Sequence, residues 1–507
     1  MKDNPKERDV KERQHAGGLP PPPEDIGVVS QIDEHGPEEE PKKSTKSIII
    51  GMSLAFGIGL LIALLPTPEG LSPAGHKFLA LLVAVVILWV SEAVSIGVTA
   101  LIAGGSLILF NIQKPAAAWN PFASPAVMFV LMIMMFGVIL NEAGVAKRLL
   151  SLIIRAAGTN VKKLSLVIAI AGAFLSSIFH DATITIILMF AILPVFAAMG
   201  ITPQKSNNLS KFFMILIPLA ASAGGFGTLL GGGRNPVMVE ALKKTTGYEM
   251  GFMEFALRNF PLVLISAIVT WLVCYLVFRP KEKELPASIA TEKLPPMSLQ
   301  EKGVIGFFSL AFVLWSLTDI TKVHYSVVAA GVLFLIFSFR LVSFKAVVSK
   351  FPWESWIVFG AGVSMGMAML DTGAGKWLAV QVLPMLEGQS WVVVFFGSGL
   401  LGSVMSSFMS NSAATALILP ITIPMASSLG IPEAAVALSA PISTSFIMLV
   451  IGCPPTIIAY STGYFSQVDF IKVAVPWAIL CLLAVTIGAG IYWPLTGFPT
   501  LPFLGIR

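Results

Sequence analysis

The sequence predicts an all-α integral membrane protein made of two oppositely oriented copies of one unit, and three observations lead there. Hydrophobic residues make up 55% of the 507 positions and charged residues only 12%, about half the charged share of a soluble domain. Apolar runs long enough to cross a hydrocarbon core recur from Ser47 almost to the C-terminus. A bilayer leaves the backbone only helices or a closed barrel, and these runs are continuous, which selects helices over alternating strands. Third, Leu140-Asn-Glu-Ala-Gly144-Val-Ala-Lys147 is echoed by Met369-Leu-Asp-Thr-Gly373-Ala-Gly-Lys376, with the glycines and the lysines both 229 positions apart.

The formal charge of +5 is no nucleic-acid footprint, because the Lys and Arg residues sit in short loops between apolar runs and so report topology. Cys274, Cys453 and Cys481 lie in apolar stretches, where a small hydrophobic packing role is the default and neither disulfides nor an organic cofactor are implied. Residues 1–46 are Pro-rich and charged with no apolar core, which predicts a disordered tail and no cleavable signal peptide. Lys42, Lys43 and Lys46 precede the first span, so the positive-inside rule places the N-terminus in the cytoplasm of a cell in whose inner membrane the chain resides.

From that start the elements thread in order. Spans are expected near Ser47–Leu65, His76–Trp89, Gly97–Phe110 and Ala126–Leu140, the last returning to Lys147 and Arg148. Leu164–Ile178 and Thr183–Ala198 flank His180 and Asp181, with Lys162 and Lys163 on one side and Lys205 and Lys211 on the other. Positive charge at both ends predicts a re-entrant hairpin. A span from Phe212 breaks at Gly231–Asn235, and Phe260–Phe278 closes the first half, 47–278. A charged connector, 279–302, leads to the second half, 303–507, with spans near Val304–Leu317, Ser326–Phe339 and Trp356–Leu370. Repeats of opposite topology, each with a hairpin and a broken helix, are the pattern of a secondary transporter whose substrate binds at the midplane between them.

Two kinds of polar element carry the chemistry. The second hairpin tip, Ser406-Ser-Phe-Met-Ser410-Asn411-Ser412, offers hydroxyl, amide and carbonyl oxygens to a hard cation, while helix N-termini present N–H donors to an anion. Small residues also pack helices together in a bilayer, so packing is an open alternative for the tip alone. The breaks, Gly224-Gly-Phe-Gly-Thr228-Leu-Leu-Gly231-Gly-Gly233-Arg234-Asn235-Pro236 and Val450-Ile-Gly452-Cys453-Pro454-Pro455-Thr456, are too rich in Gly and Pro for continuous helix. Irregular backbone at this depth survives only against protein or a water-filled cavity. One break after each tip points to a site.

With Trp89-Val-Ser-Glu92-Ala-Val-Ser-Ile96, Pro352-Trp-Glu-Ser-Trp-Ile-Val-Phe-Gly360, the Ser410-Asn411-Ser412 tip and the Gly452-Cys-Pro-Pro-Thr456 break, the chain resembles the divalent anion/sodium symporter family over nearly everything after the tail. The resemblance implies about eleven transmembrane helices plus two re-entrant hairpins and two broken helices, an elevator-type transport domain and a homodimer. It implies transport of a small divalent anion, above all a C4-dicarboxylate such as succinate, malate or fumarate, with sodium as the coupling ion and no enzymatic activity. By the same resemblance Ser406, Ser410, Asn411 and Gly452 hold sodium and Asn411 and Ser412 touch substrate, with Asn235 and Thr456 on the matching breaks. Ser176, Asp181 and Gly231 then form a weaker first cation site.

The first half departs from the family's Ser-Asn-Thr signature: its tip reads His180-Asp181-Ala182, and Gly233 and Arg234 stand before Asn235 where paired prolines are usual. An ionised Asp at membrane depth costs roughly 3 kcal/mol and repels an anion, so it needs a partner. A fixed Asp181–Arg234 pair is expected to replace the first sodium ion, leaving His180 as a proton carrier or a donor to substrate. The rival reading has Arg234 clamp the substrate, since guanidinium fits carboxylate or sulfate. His180 as a silent helix-end histidine also stays open. Sodium-independent exchange, proton coupling, or a cation/proton or arsenite-type antiporter of the same architecture are the alternatives. An intramembrane enzyme is disfavoured, because adjacent helix residues point about 100° apart and no nucleophile accompanies them. Glu92, Glu142 and Asp371 are read as interfacial, and His76 and His324 as flanking residues without functional role.

Overall fold

The structure, a computed structural model, describes residues 45–497 apart from 92, 146–147, 149–151, 153–154, 156, 287–294 and 387–388. Glu92, Lys147, the centre of the connector and all but the end of the expected tail lie outside the described residues. From Ile48 onward the described chain is one contact-linked unit. It is helical, and no strand occurs among the described residues.

The first half begins with α1 (Thr45–Leu64), α2 (Pro73–Ser91), α3 (Ile96–Leu109) and α4 (Pro125–Glu142). Ser95 and Ser124 supply the oxygens that cap the first free N–H groups of α3 and α4, the usual way to satisfy a helix start. The tip helices α5 (Val161–Ser176) and α6 (Asp181–Ala198) follow, then α7 (Asn208–Gly224), the break, α8 (Arg234–Thr246) and α9 (Phe252–Phe278). The second half contains α10 (Leu299–Ser316), α11 (Tyr325–Ser338), α12 (Trp353–Asp371), α13 (Ala374–Leu386), the tip helices α14 (Trp391–Ser406) and α15 (Asn411–Ser428), α16 (Glu433–Ser443), the second break, α17 (Pro454–Ser461) and α18 (Gln467–Leu495).

Among the described residues four stretches are each long and apolar enough to cross a bilayer: Pro115–Glu142, Asp181–Ala198, Phe252–Phe278 and Gln467–Leu495. Six shorter apolar helices accompany them, and α12 turns into α13 through 72°. That turn falls at Gly373, φ +72°, and its counterpart after α4 at Gly144, φ +79°. Both are left-handed positions that a Cβ would strain, which is why these two glycines stand out in the echoed segments.

The two halves repeat in helix length as well. The tip pairs consist of 16 and 18 residues in the first half and 16 and 18 in the second. Each second tip helix stops before a left-handed glycine, Gly200 (φ +67°) or Gly430 (φ +66°). Packing then crosses over: α8, which follows the first break, lies on the second tip helix α15, and α17, which follows the second break, lies on α6 and α7. Each break is thereby buttressed by the tip of the other half. Three helices start more than a turn ahead of expectation: α7 at Asn208 rather than Phe212, α10 at Leu299 rather than Val304 and, by the widest margin, α9 at Phe252 rather than Phe260. Pro261 sits inside this helix without ending it, the helix being held by its packing on α5, α7 and α18.

Candidate substrate and cation site

Both tips are built alike. Ser176 and Ser406 end their first helices, a four-residue turn follows, and His180 or Ser410 caps the second helix in extended backbone, at φ −60°, ψ 133° and φ −60°, ψ 144°. The His180 ring accepts from the Ala182 N–H at 3.4 Å and Ser410 Oγ from the Ala413 N–H at 3.2 Å. The residue that begins each second helix, Asp181 or Asn411, faces a cavity of about 290 Å³.

That cavity lies where the halves meet. From the first half it is lined by His180, Asp181, Gly232, Gly233 and Arg234, and from the second by Ser410 to Ser412 and Ile451 to Pro454. Trp89, Ile96, Glu354 and Ser355 also line it, with apolar side chains such as Val358, Phe408 and Ile457 making up the rest of the wall. Asp181 and Arg234, which the sequence paired, come together: Arg234 Nη1 is 3.7 Å from Asp181 Oδ2, with side chains only 3% and 6% exposed. Asp181 Oδ1 also accepts from the Ala182 N–H at 2.9 Å and lies 3.3 Å from His180 Nδ1.

Arg234 reaches further, into the second half. One side of the Asn411 carboxamide lies 2.6 Å from Arg234 Nη1; the other side is 2.6 Å from Ser406 Oγ, 3.1 Å from the Thr444 carbonyl and 3.3 Å from the Gly452 carbonyl. Three oxygens therefore converge on one amide atom. The guanidinium has space because Gly225 carries no side chain: a Cβ there would stand 1.9 Å from Nη2.

Oxygen clusters of this kind suit a hard cation. In the second half the converging set comprises Ser406 Oγ, Asn411, Thr444 O and Gly452 O, with Ser410 as the helix cap beside them. Ser406 Oγ also donates to Thr444 O at 2.9 Å. In the first half Ser176 Oγ and Asn235 Oδ1 are buried without a hydrogen-bond partner, and the Cβ position of Gly231 lies 2.6 Å from Gly225 O and 2.8 Å from Ser176 O. An unpartnered buried oxygen calls for an explanation, and a ligand beside it is one. The second half thus carries a converging oxygen set that suits sodium, and the first half carries unpartnered buried oxygens on Ser176 and Asn235. Among the described residues no group of His, Cys, Asp and Glu suits a transition metal.

Two residues expected to touch substrate are placed behind the wall. Asn235 is fully buried and its amide donates to Gly225 O at 2.8 Å and Thr228 O at 2.6 Å, and Thr456 Oγ1 donates to Val450 O at 2.6 Å and Cys453 O at 2.8 Å. Each braces its own break, satisfying carbonyls that a broken helix leaves free. Residues assigned no role at the site from sequence include Ser222 near the end of α7, Thr444 just after α16, Cys453 on the second break and Glu354 on α12. Glu354 Oε1 accepts from the Gly97 N–H at 2.8 Å, so a carboxylate is held at the positive end of α3. The position of Glu354 inside the Pro352-Trp-Glu-Ser motif was its available signal. The flanking residues have structural partners: Glu142 with Lys350 at 2.8 Å, Asp371 with Gln113 at 2.7 Å, and His76 with the Ile62 carbonyl at 2.8 Å.

Comparison with known proteins adds the lineage. The profile of the sodium:sulfate symporter transmembrane region matches residues 46–498. A transporter of uncharacterised function from Haemophilus influenzae is 26% identical over 438 residues, covering 83% of this chain and 92% of that protein. The sodium-dependent dicarboxylate transporter SdcS of Staphylococcus aureus is 25% identical over 447 residues, covering 82% and 86%. Among solved structures, the YdaH transporter of Alcanivorax borkumensis matches with a TM-score of 0.51 at 16% identity, covering 90% of this chain and 98% of that one. MtrF of Neisseria gonorrhoeae, described as illuminating a class of antimetabolite efflux pumps, matches with a TM-score of 0.52 at 16% identity, covering 91% and 97%. At that identity the two structures speak to the fold alone.

Proposed function

The chain belongs to the sodium:sulfate symporter family, and from that premise we propose that this multi-pass membrane transporter carries a C4-dicarboxylate, such as succinate, malate or fumarate, together with sodium. One observation carries the reading: the cavity between the tips has no surplus positive charge. Asp181 and Glu354 oppose Arg234 along its wall, and with His180 neutral the lining sums to one negative charge. A dianion cannot enter such a cavity alone, because desolvating it there costs more than the wall returns. Cations must enter with it. The oxygen cluster at Ser406, Asn411, Thr444 and Gly452 is where the first of them binds, directly beside the anion.

In this mechanism Asn411 and Ser412 meet the substrate from the second tip and His180 from the first, with the free N–H groups at the start of α6 and α15 favouring carboxylate oxygens. The Asp181–Arg234 pair stands in for part of the charge that a first sodium ion supplies. Ser176, Asn235 and the carbonyls around Gly231 keep a weaker first cation position. The two tips and breaks move as one body past the remaining helices, an elevator step in a homodimer of the cytoplasmic membrane with the N-terminus inside. SdcS is named for sodium-dependent dicarboxylate transport, which supports the substrate class and the coupling ion at the level of 25% identity.

The proximity of Arg234 to Asn411 favours a second reading, sodium-independent exchange, in which the guanidinium is the permanent counter-charge. Uptake of radiolabelled succinate into proteoliposomes separates the two. Concentrative uptake driven by an inward sodium gradient is expected. Equal uptake with choline and preloaded dicarboxylate would establish exchange, and no uptake of succinate, malate, fumarate or sulfate under any gradient would overturn the anion reading.

A further inference from the structure

Arg234 is a buried cation with unusually few good partners. Of its five N–H donors, Nε has none, Nη2 reaches the Ser222 carbonyl only at 3.4 Å, and Asp181 is 3.7 Å away. The single short contact is to the Asn411 carboxamide at 2.6 Å. What that contact is worth depends on which way the carboxamide faces.

Two orientations are available. With the amide oxygen toward Ser406, Thr444 and Gly452, it accepts from Ser406 Oγ at 2.6 Å but meets two carbonyl oxygens, and its NH2 faces the N–H groups of Arg234. Acceptors face acceptors and donors face donors, an arrangement that a cation among the oxygens makes favourable. With the carboxamide turned by 180°, NH2 donates to Ser406 Oγ, Thr444 O or Gly452 O and the oxygen accepts from Arg234 Nη1. Every group is then matched without a cation.

We propose that Arg234 and sodium compete for the Asn411 carboxamide, so that the amide is a two-position switch through which cation binding in the second half releases a guanidinium held by the first. Sodium among the three oxygens turns the amide oxygen toward itself and withdraws it from Arg234. The freed guanidinium is within reach of Asp181 and of the cavity, where an anion gives it a stronger partner than an amide does. Sodium and anion therefore each favour the same amide orientation, and each tightens binding of the other. This inference rests on the sodium-coupled reading above.

The test uses the purified full-length protein, melted across a sodium chloride series balanced with choline chloride, with and without succinate. Wild type is expected to show sodium and succinate each lowering the midpoint concentration of the other. Two variants act on the switch. Arg234→Met removes the competing cation. Gly225→Ala keeps the charge but pushes the guanidinium off Asn411, and the backbone at Gly225 is ordinary right-handed helix, φ −62°, ψ −12°, which Ala adopts readily. Both are expected to lower the sodium midpoint without succinate by about tenfold, a change of ~1.4 kcal/mol, and to abolish the effect of succinate on it. Tightening in Arg234→Met but not Gly225→Ala would mean simple charge repulsion and would overturn the switch, as would unchanged midpoints in both. Absence of mutual tightening in wild type overturns it without any variant. A wild type that responds to neither sodium nor succinate sinks the function itself, whereas normal wild-type responses with unaltered variants sink only the switch.

Discussion

The two hairpin tips share one backbone and differ in chemistry. Helix lengths, the four-residue turn and the capping dihedral angles coincide, yet one tip begins its second helix with Asp181 beside His180 and the other with Asn411 beside Ser410. The carboxylate brings its own charge and is met by Arg234; the amide brings none and gathers oxygens. A repeated scaffold can thus keep its shape while the residue that starts one tip helix carries a charge and its counterpart does not. A buried carboxylate needs a counter-charge close by, and the strength of that pair depends on its geometry.

The largest expected effect tests the amide side. Asn411→Ala should lower sodium affinity by about 10- to 100-fold and remove succinate accumulation in proteoliposomes; retained uptake would show that the second tip is not the cation site. Next comes the charged side. Asp181→Asn or Arg234→Met alone leaves its former partner buried and uncompensated, a loss of about 3 to 5 kcal/mol, read as a fall in melting temperature. The double variant should recover most of it, and equal damage from all three would dissolve the pair. Asn235→Ala should act through stability more than through substrate, because its amide holds Gly225 O and Thr228 O. A loss of about 1 to 3 kcal/mol of stability, read as a lower melting point, with an unchanged succinate midpoint at saturating sodium is expected, and the reverse would return Asn235 to the substrate.

The smallest effect offers a contrast between core and periphery. Ahead of the apolar run that begins at Val304, Arg148 grips Glu301 with two contacts, 2.5 Å and 2.8 Å, and Ser298 N–H donates to the same carboxylate at 2.6 Å. The Arg148 hydrogen bond and then the Ser298 backbone hold the Glu301 carboxyl down at about 2. A depressed folded-state value stabilises above the ordinary carboxylate range, so this contribution is full at pH 7 and is lost as pH falls from roughly 4.5 toward 2. The melting temperatures of wild type and Glu301→Gln should therefore differ at pH 7 and converge only as the pH approaches about 2; a constant gap would mean the carboxylate's charge contributes nothing.

Much of this was legible in the residues. Continuous apolar runs fix helices in a bilayer because no water is present to satisfy any other backbone, whereas the caps Asn207 and Ser298 start α7 and α10 about a turn ahead of the apolar residues that marked them. The glycines of the two echoed segments mark left-handed stops, and the charges at Asp181 and Arg234 announce each other because neither survives alone at that depth. Less legible were Glu354, whose partner is the start of a helix 257 positions away, and the inward roles of Asn235 and Thr456, which resemble ligands by type and act as braces by placement.

The sequence by itself determined that the chain is a helical membrane protein with two related halves, since hydropathy and repetition are properties of the chain alone. Only the tertiary structure decided that Arg234, contributed by the first half, lies closer to Asn411 of the second than to its own Asp181, at 2.6 Å against 3.7 Å. Charge balance dictates which residues need one another, but the distance over which they meet is set by how α8 packs on α15, and packing is a property of both halves together.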